Sequence, residues 1–220
     1  MEFKEIKWPE TLMIAGIGKH TGKSYATGWL AREMTAAEHS VITLKAVQTG
    51  SSEICDDIKI HRKIMKLNHT TFDLTRISSP YKLVYNAAPY IAAKLENEKV
   101  KVEMITEATR LLHKNYRHVI IESAGGLMTP LKHDYLMIDY IRAKKLPTIL
   151  VVNGALGSIN ATLLSLYAMV HYGIDIFGVI YNPHFDVRDN GIATETREYL
   201  KEWVIQHHPN TFWFEMPRSL

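Results

Sequence analysis

The chain has 220 residues, 46% hydrophobic and 22% charged, with a net charge of +3 when its 11 histidines are neutral. That length supports one sizeable core, so residues 1–220 are read as one domain, and the scattered basic side chains exclude a nucleic-acid-binding stripe. A single cysteine, Cys55, excludes an internal disulfide and reads as an incidental thiol, and no apolar run reaches membrane-span length.

In chain order, Met1-Glu2-Phe3-Lys4-Glu5 lacks the apolar stretch of a signal peptide, which makes the cytoplasm the expected compartment. Leu12-Met13-Ile14-Ala15 predicts a strand, and Gly16-Ile17-Gly18-Lys19-His20-Thr21-Gly22-Lys23-Ser24 follows it, ahead of a helical pattern from Tyr25. A strand, a glycine-rich turn and Gly-Lys-Ser opening a helix form the context of a phosphate-binding loop. The glycines let backbone N–H groups converge on phosphate oxygens, and the helix dipole adds to the attraction. Lys23 is placed to reach the outer phosphates, and the Ser24 hydroxyl suits Mg²⁺. The strict pattern puts its first glycine where Ile17 stands, so Gly16 comes one residue early.

A helix is expected from Ser24 to Glu38 with Trp29, Leu30 and Met34 inward, then a strand over Val41–Leu44 ending in Lys45. The small-residue loop Ala46–Ser52 lies at the carboxyl end of that strand, where parallel α/β sheets bind ligands. Asp56-Asp57 open a helix with Ile58, Ile64, Met65 and Leu67 as its apolar positions, while His61-Arg62-Lys63 reads as a solvated face, as does Lys99-Val100-Lys101. The section from Thr70 to Lys99 is irregular, with a short helix over Ala87–Lys94 carrying Pro89 in its first turn. Val102–Leu112 predicts a helix, and His118–Glu122 a buried strand whose terminal carboxylate can face Mg²⁺.

Further helices are expected over Tyr135–Ala143, which contains Asp139, from the Gly154–Asn160 segment to His171, and over Thr194–Gln206. Strands are expected over Leu146–Val152, Ile176–Tyr181 and Phe212–Phe214. The alternation implies an α/β domain with a mainly parallel sheet flanked by helices on both faces, P-loop NTPase-like. Lys23, Ser24, Lys45, Asp57, Glu122 and Asn182 then share one sheet edge. These residues point to a Mg²⁺-nucleotide enzyme and leave the substrate open.

Over Leu12 to Pro217 the chain also resembles the dethiobiotin synthetase family. The resemblance rests on the phosphate loop, Lys45-Ala-Val-Gln-Thr-Gly50, Asp56-Asp-Ile with His61-Arg62, and Ala88-Pro-Tyr-Ile-Ala-Ala93. It rests further on Glu122-Ser-Ala-Gly-Gly-Leu-Met-Thr-Pro-Leu131, Leu156-Gly-Ser-Ile-Asn160 and Ile180-Tyr-Asn182. The Glu-x-Ala-Gly-Gly-x-x-x-Pro-Leu and Leu-Gly-x-Ile-Asn strings are more specific than the loop.

The resemblance implies an ATP-dependent ligase that makes dethiobiotin from 7,8-diaminopelargonate and CO₂ through a carbamate and a carbamic-phosphoric anhydride. It implies that Gly18, Lys19, His20, Thr21, Gly22, Lys23, Ser24 and Tyr25 hold the nucleotide phosphates, with Asn182 and Pro217 at the base. Ser24, Asp57 and Glu122 would surround Mg²⁺; Asp57 is preferred to Asp56, which is read as the helix cap. Lys23 and Lys45 would be catalytic, Thr49 would contact the diamine or carbamate, and Gly125 and Gly126 would allow close substrate approach. A homodimer is implied, with Gly157, Ser158, Ile159 and Asn160 of the neighbouring subunit holding the carboxylate end of the diamine.

Departures from the family pattern are Lys19-His20 in the loop, Ala46 for proline, Ser123 for glycine, and Ala88-Pro89-Tyr90 where Ser-Pro-His is common. Lys19 is not at the spacing of the signature lysine of related dimeric ATPases. The chain ends soon after Pro217, where longer members continue over the nucleotide, which implies a relaxed nucleotide choice. Two other readings stand beside this one: a related ATP-dependent ligase or amidase with another substrate, and a dimeric nucleotide-switch or partitioning ATPase. Lys45 and the Leu156–Asn160 string argue against the switch, which needs no diamine pocket.

Overall fold

Leu12 and Ile14 belong to one hydrophobic cluster, and Met13 and Ala15 to another, because successive side chains of a strand leave opposite faces of its sheet. Burial on both faces is the condition of a parallel sheet covered by helices. The structure, a computed structural model, describes residues 3–51 and 55–218. Met1 and Glu2 of the charged lead, and Ser52 of the loop expected at 46–52, lie outside the described residues.

The strands are β1 Thr11–Gly16, β2 Val41–Lys45, β3 Gln48–Thr49, β4 Lys82–Leu83, β5 His118–Glu122, β6 Pro130–Lys132, β7 Tyr135–Leu136, β8 Thr148–Asn153, β9 Ile176–Asn182 and β10 Phe212–Glu215. The helices are α1 Lys23–Ala36, α2 Asp56–Met65, α3 Thr71–Leu74, α4 Pro89–Leu95, α5 Val102–Leu112, α6 Met137–Ala143, α7 Ser158–His171 and α8 Asn190–His207. Six strands make one sheet in the order β10-β9-β8-β1-β5-β2, and every pairing in it is parallel. With β8 on one side of β1 and β5 on the other, the chain order reverses at β1. The carboxyl ends there open the crevice in which such sheets bind ligands.

Helix α1 lays Ala26, Trp29, Leu30 and Met34 on one face of the sheet, joined by Met65 of α2. Ala92 of α4, Ile105 and Leu112 of α5, Ile141 of α6, Leu166 of α7 and Leu200 of α8 cover the other. The expected α/β architecture with helices on both faces is therefore observed, and no helix among the described residues is long and apolar enough to cross a membrane.

Several boundaries differ from the sequence reading for local reasons. Helix α1 stops at Ala36, and Glu38 turns the chain with φ 67°. Lys66, at φ 56°, ends α2, so Leu67 falls outside it and is 44% exposed. The loop after β2 contains β3, which pairs with β4. Helix α6 begins at Met137 rather than Tyr135, because the Asp139 carboxylate accepts the Leu136 backbone N–H at 2.8 Å and caps the helix there. Helix α8 begins at Asn190, capped by Asp189, which accepts from the Ile192 N–H at 3.0 Å. The strand entered through Pro147 starts at Thr148 rather than Leu146, which still belongs to the preceding turn through its N–H bond to Ile141 O.

Candidate active site

The turn from β1 into α1 explains its own irregular motif. A Cβ on Gly16 would lie 3.0 Å from the Lys23 side chain and 2.5 Å from Thr21 Oγ1. The early glycine thus leaves room for Lys23 to fold back over the loop. Gly22 has φ 81°, in the left-handed region that favours glycine. A Cβ there would also strike the Asn182 amide and come within 2.9 Å of the Phe185 ring. Lys23 Nζ donates to the Gly18 carbonyl at 2.7 Å. Burial, together with the nearby charge of Lys45, lowers its pKa to about 8.

Lys45 and Glu122 end neighbouring strands and are direct register partners, so their side chains leave the same face of the sheet at its carboxyl edge. Lys45 Nζ lies 2.7 Å from Asp57 Oδ2, 2.8 Å from Glu122 Oε1 and 2.9 Å from the Ser123 carbonyl, which engages all three of its N–H bonds. Ser24 Oγ lies 2.8 Å from Asp57 Oδ1 and 3.0 Å from Glu122 Oε1, its single proton serving one carboxylate at a time. Burial favours a neutral Glu122, but the Lys45 charge and the His61 hydrogen bond outweigh it and hold the carboxyl far below its usual range. Burial likewise opposes charge on Lys45, yet Glu122 and Asp57 together push its pKa above the ordinary lysine value.

Asp57, rather than Asp56, reaches this cluster. Asp56 does not cap α2, however. The capping position is Cys55, and Asp56 is an exposed first-turn residue paired with Lys59 at 3.1 Å. Burial raises the Cys55 thiol to about 11, which disfavours the thiolate a nucleophile needs, and its Sγ lies 2.9 Å from Gln48 Oε1.

The expectation of a solvated His61-Arg62-Lys63 face is overturned for two of the three residues. His61 is 0% and Arg62 1% exposed, while Lys63 faces solvent. His61 Nε2 lies 2.7 Å from Glu122 Oε2, and its Nδ1 lies 3.0 Å from Thr43 Oγ1. Arg62 donates from Nη1 to Thr43 Oγ1 at 2.7 Å and pairs with Asp73 through Nε and Nη2 at 2.9 and 2.8 Å. The signal was present in the spacing: Ile58, His61, Arg62 and Met65, at i, i+3, i+4 and i+7, are the buried face of α2. Lys99 and Lys101 are exposed, as expected.

A cavity of about 910 Å³ opens beside these groups. Among the expected site residues it is lined by Gly18, Lys19, His20, Gly22, Lys23, Ser24, Tyr25, Lys45, Thr49, Asp57, Glu122, Gly125 and Gly126. Gly126 packs beside the loop, where a Cβ would sit 3.4 Å from the Gly16 carbonyl, and Gly125 has φ 66°. Lys19 crosses the cavity rim to donate to Asn86 Oδ1 at 2.8 Å. Asn86, Met128, Leu164, Ser165, Ala168 and Phe185 also line the cavity and were not singled out in the sequence.

Thr21, Asn182 and Pro217 do not line it. Asn182 is fully buried, donating Nδ2–H to the Thr21 carbonyl at 3.1 Å and accepting the His184 N–H at 3.1 Å; Pro217 is exposed. Gly157, Ser158, Ile159 and Asn160 are also outside this cavity, at the start of α7, where Gly157 and Asn160 are exposed and Ser158 is buried.

Among the described residues no cluster of three or more His, Cys, Asp or Glu is arranged to hold a metal. The expected set is instead a hydroxyl and two carboxylates, with a lysine ammonium already held between the carboxylates as a cation. Hard oxygen donors of this kind, completed by water and phosphate oxygens, suit Mg²⁺. The two lysines and these oxygen donors thus face one shared cavity.

A family model described as an AAA domain matches residues 10–204. The ATP-dependent dethiobiotin synthetase BioD 2 of Haemophilus ducreyi is 39% identical over 208 residues, spanning 94% of this chain and 98% of its own. The protein of the same name from Haemophilus influenzae is 42% identical over 180 residues, spanning 81% of this chain and 94% of its own. Among solved structures, the kinase domain of Escherichia coli tyrosine kinase ETK aligns with a TM-score of 0.51 at 14% identity, over 86% of this chain and 73% of that one. At that identity the likeness is one of fold.

Proposed function

The chain belongs to the ATP-dependent dethiobiotin synthetase family, on an AAA-domain fold, and from that membership we propose that it closes the cyclic urea of dethiobiotin from 7,8-diaminopelargonate, CO₂ and ATP. The observation that carries the reading is the meeting of Lys45, Asp57, Glu122 and Ser24 within hydrogen-bonding distance beside the phosphate loop. This is a charged rim where a triphosphate and a carboxylated amine can be aligned.

In the proposed reaction one amine of the substrate takes up CO₂ as a carbamate. A carbamate oxygen forms a bond to the γ-phosphorus and ADP leaves. The second amine then attacks the carbonyl carbon of the mixed anhydride, and phosphate departs with the C–O bond electrons. Phosphoryl transfer asks mainly for alignment and charge stabilisation. Lys23 exchanges its bond to the Gly18 carbonyl for the outer phosphates, within a loop formed by residues 18–25. Lys45 stabilises the carbamate and the transferred phosphoryl group, as a preorganised cation can in a site shielded from water. Ser24, Asp57 and Glu122 would hold Mg²⁺, which supplies neutralisation of phosphate charge. Thr49 contacts the diamine or its carbamate, and the bare backbone of Gly125 and Gly126 lets it approach.

Asn182 ties the turn at 183–185 to the loop, and we assign it with Pro217 to the base end of the nucleotide. The placement of Gly157, Ser158, Ile159 and Asn160 away from the cavity of their own chain is compatible with a homodimer in which they hold the carboxylate end of the partner's diamine. Incubation with the diamine, bicarbonate, Mg²⁺ and ATP should yield dethiobiotin. ATP loss that is independent of the diamine, with no cyclic urea formed, would favour a nucleotide switch instead.

A further inference from the structure

Behind Glu122 lies a polar chain whose other members the proposed chemistry does not use. It runs from Asp73 through Arg62, Thr43 and His61 to Glu122, with every link buried. The direction of each link follows from donor and acceptor capacity. Arg62 only donates, so its Nη1 fills one acceptor position of the Thr43 hydroxyl. The hydroxyl proton can then point at His61 Nδ1. The Glu122 carboxylate only accepts, so the 2.7 Å contact is a bond donated by His61 Nε2–H to Oε2. Asp73 in turn fixes Arg62 from two oxygens.

Glu122 has two oxygens with separate duties. Oε1 faces Lys45 and Ser24, at 2.8 and 3.0 Å, and among the described residues Oε2 accepts from His61 alone. A carboxylate with one tethered oxygen has a fixed rotation about its terminal bond, and its other oxygen is held toward the site. Without that tether only the Lys45 and Ser24 contacts at Oε1 fix the carboxylate, and its plane can rotate about them. Outer partners that orient a carboxylate in this way commonly change metal affinity by about 10–100-fold.

We propose that His61 is a positioning residue for Glu122: its Nε2–H bond aims Oε1 at the metal and Lys45, and the Thr43–Arg62–Asp73 chain keeps the imidazole in the orientation that makes this possible. The inference rests on the reading of Glu122 as a Mg²⁺ ligand.

The test compares two substitutions that divide the two imidazole contacts. In His61→Gln the side-chain amide nitrogen reaches the place of Nε2 and can still donate to Glu122, but the contact with Thr43 is lost. In His61→Asn the shorter amide can meet Thr43 but not Glu122. Affinity for a non-hydrolysable ATP analogue is measured by calorimetry with and without Mg²⁺, and the ratio gives the metal-linked gain. The expected result is a gain reduced about tenfold or more in His61→Asn and restored within a few-fold in His61→Gln, with metal-free affinity the same in all three proteins.

Equal losses of the gain in both variants, or a full gain in His61→Asn, would overturn the proposal. Glu122→Gln separates it from the reading beneath it: an unchanged gain there removes Glu122 from the metal site, whatever His61 does. Thermal melting of each variant establishes that it is folded. If His61→Asn does not fold, His61→Gln decides alone, with a retained gain supporting the proposal and a loss equal to that of Glu122→Gln overturning it.

Discussion

Lys45 and Glu122 face each other as the last residues of adjacent parallel strands, and the ammonium lies 2.8 Å from the carboxylate. Two opposite charges at register-matched positions need no loop to bring them together; the sheet itself does so. The pair is nonetheless deeply buried, and the loss of one partner leaves the other without its counter-charge. Lys45→Met is therefore expected to reduce the stability of the metal-free protein by about 3–5 kcal/mol, read from urea unfolding. Glu122 has a folded pKa below its unfolded value of 4.5. The stability it lends is thus complete above pH 4.5 and is lost as pH falls toward the folded value. Without Lys45 the folded pKa rises toward the unfolded one, so this acid loss should be smaller, and an unchanged acid limb in Lys45→Met would contradict the pairing.

Lys23→Ala should remove nearly all turnover, with a loss of about 2–4 kcal/mol or more of transition-state stabilisation. Turnover near that of the unaltered protein would remove Lys23 from the reaction.

The same lysine makes nucleotide binding pH-dependent. Its pKa in the ligand-free protein is about 8 against an ordinary 10.5, and an adjacent triphosphate favours the protonated form. Binding should take up protons near and above pH 8, and ATP affinity should fall as pH rises through that value. Calorimetry in buffers of different ionisation enthalpy measures the uptake, and a value of zero at pH 8.5 would refute it.

Gly22→Ala combines a left-handed φ of 81° with a collision against Asn182. The substitution should weaken ATP binding by at least tenfold while the rest of the sheet stays intact, since strain of this kind costs about 1–3 kcal/mol before the clash is added. Equilibrium titration with a fluorescent ATP analogue, alongside circular dichroism, tests both halves of the statement.

Asn160→Ala should weaken diamine binding more than nucleotide binding. The residue is exposed on the first turn of α7 and lies outside the cavity of its own chain, so its loss should not disturb the phosphate loop. Equal losses of the two affinities would show that the in-trans assignment is wrong.

The parts of this molecule that could be read from the sequence are those governed by local pattern. Val102–Leu112 and His118–Glu122 were placed to the residue because their apolar periods are clean and their ends coincide with changes of chemistry. The phosphate loop was legible because glycine, lysine and serine at fixed spacing have one obvious joint use. His61 and Arg62 were misread because charge on a helix usually means solvent, and the carboxylates that admit them to the interior, Glu122 and Asp73, lie 61 and 11 residues away. The start of α6 was missed because its cap is a side chain reaching back to a backbone N–H. Phe185 and Asn86 carry no pattern at all; only the folded chain brings them to the cavity rim.

The strand that leads into the phosphate loop is hydrogen-bonded on both of its edges, to β5 and to β8. Its amides, Leu12 to Ala15, should consequently be among the last in the molecule to exchange with deuterium, because releasing them requires the sheet to part at its middle. The strand that enters the glycine-rich loop is in this sense held as firmly as β5 and β8, which are also paired on both edges.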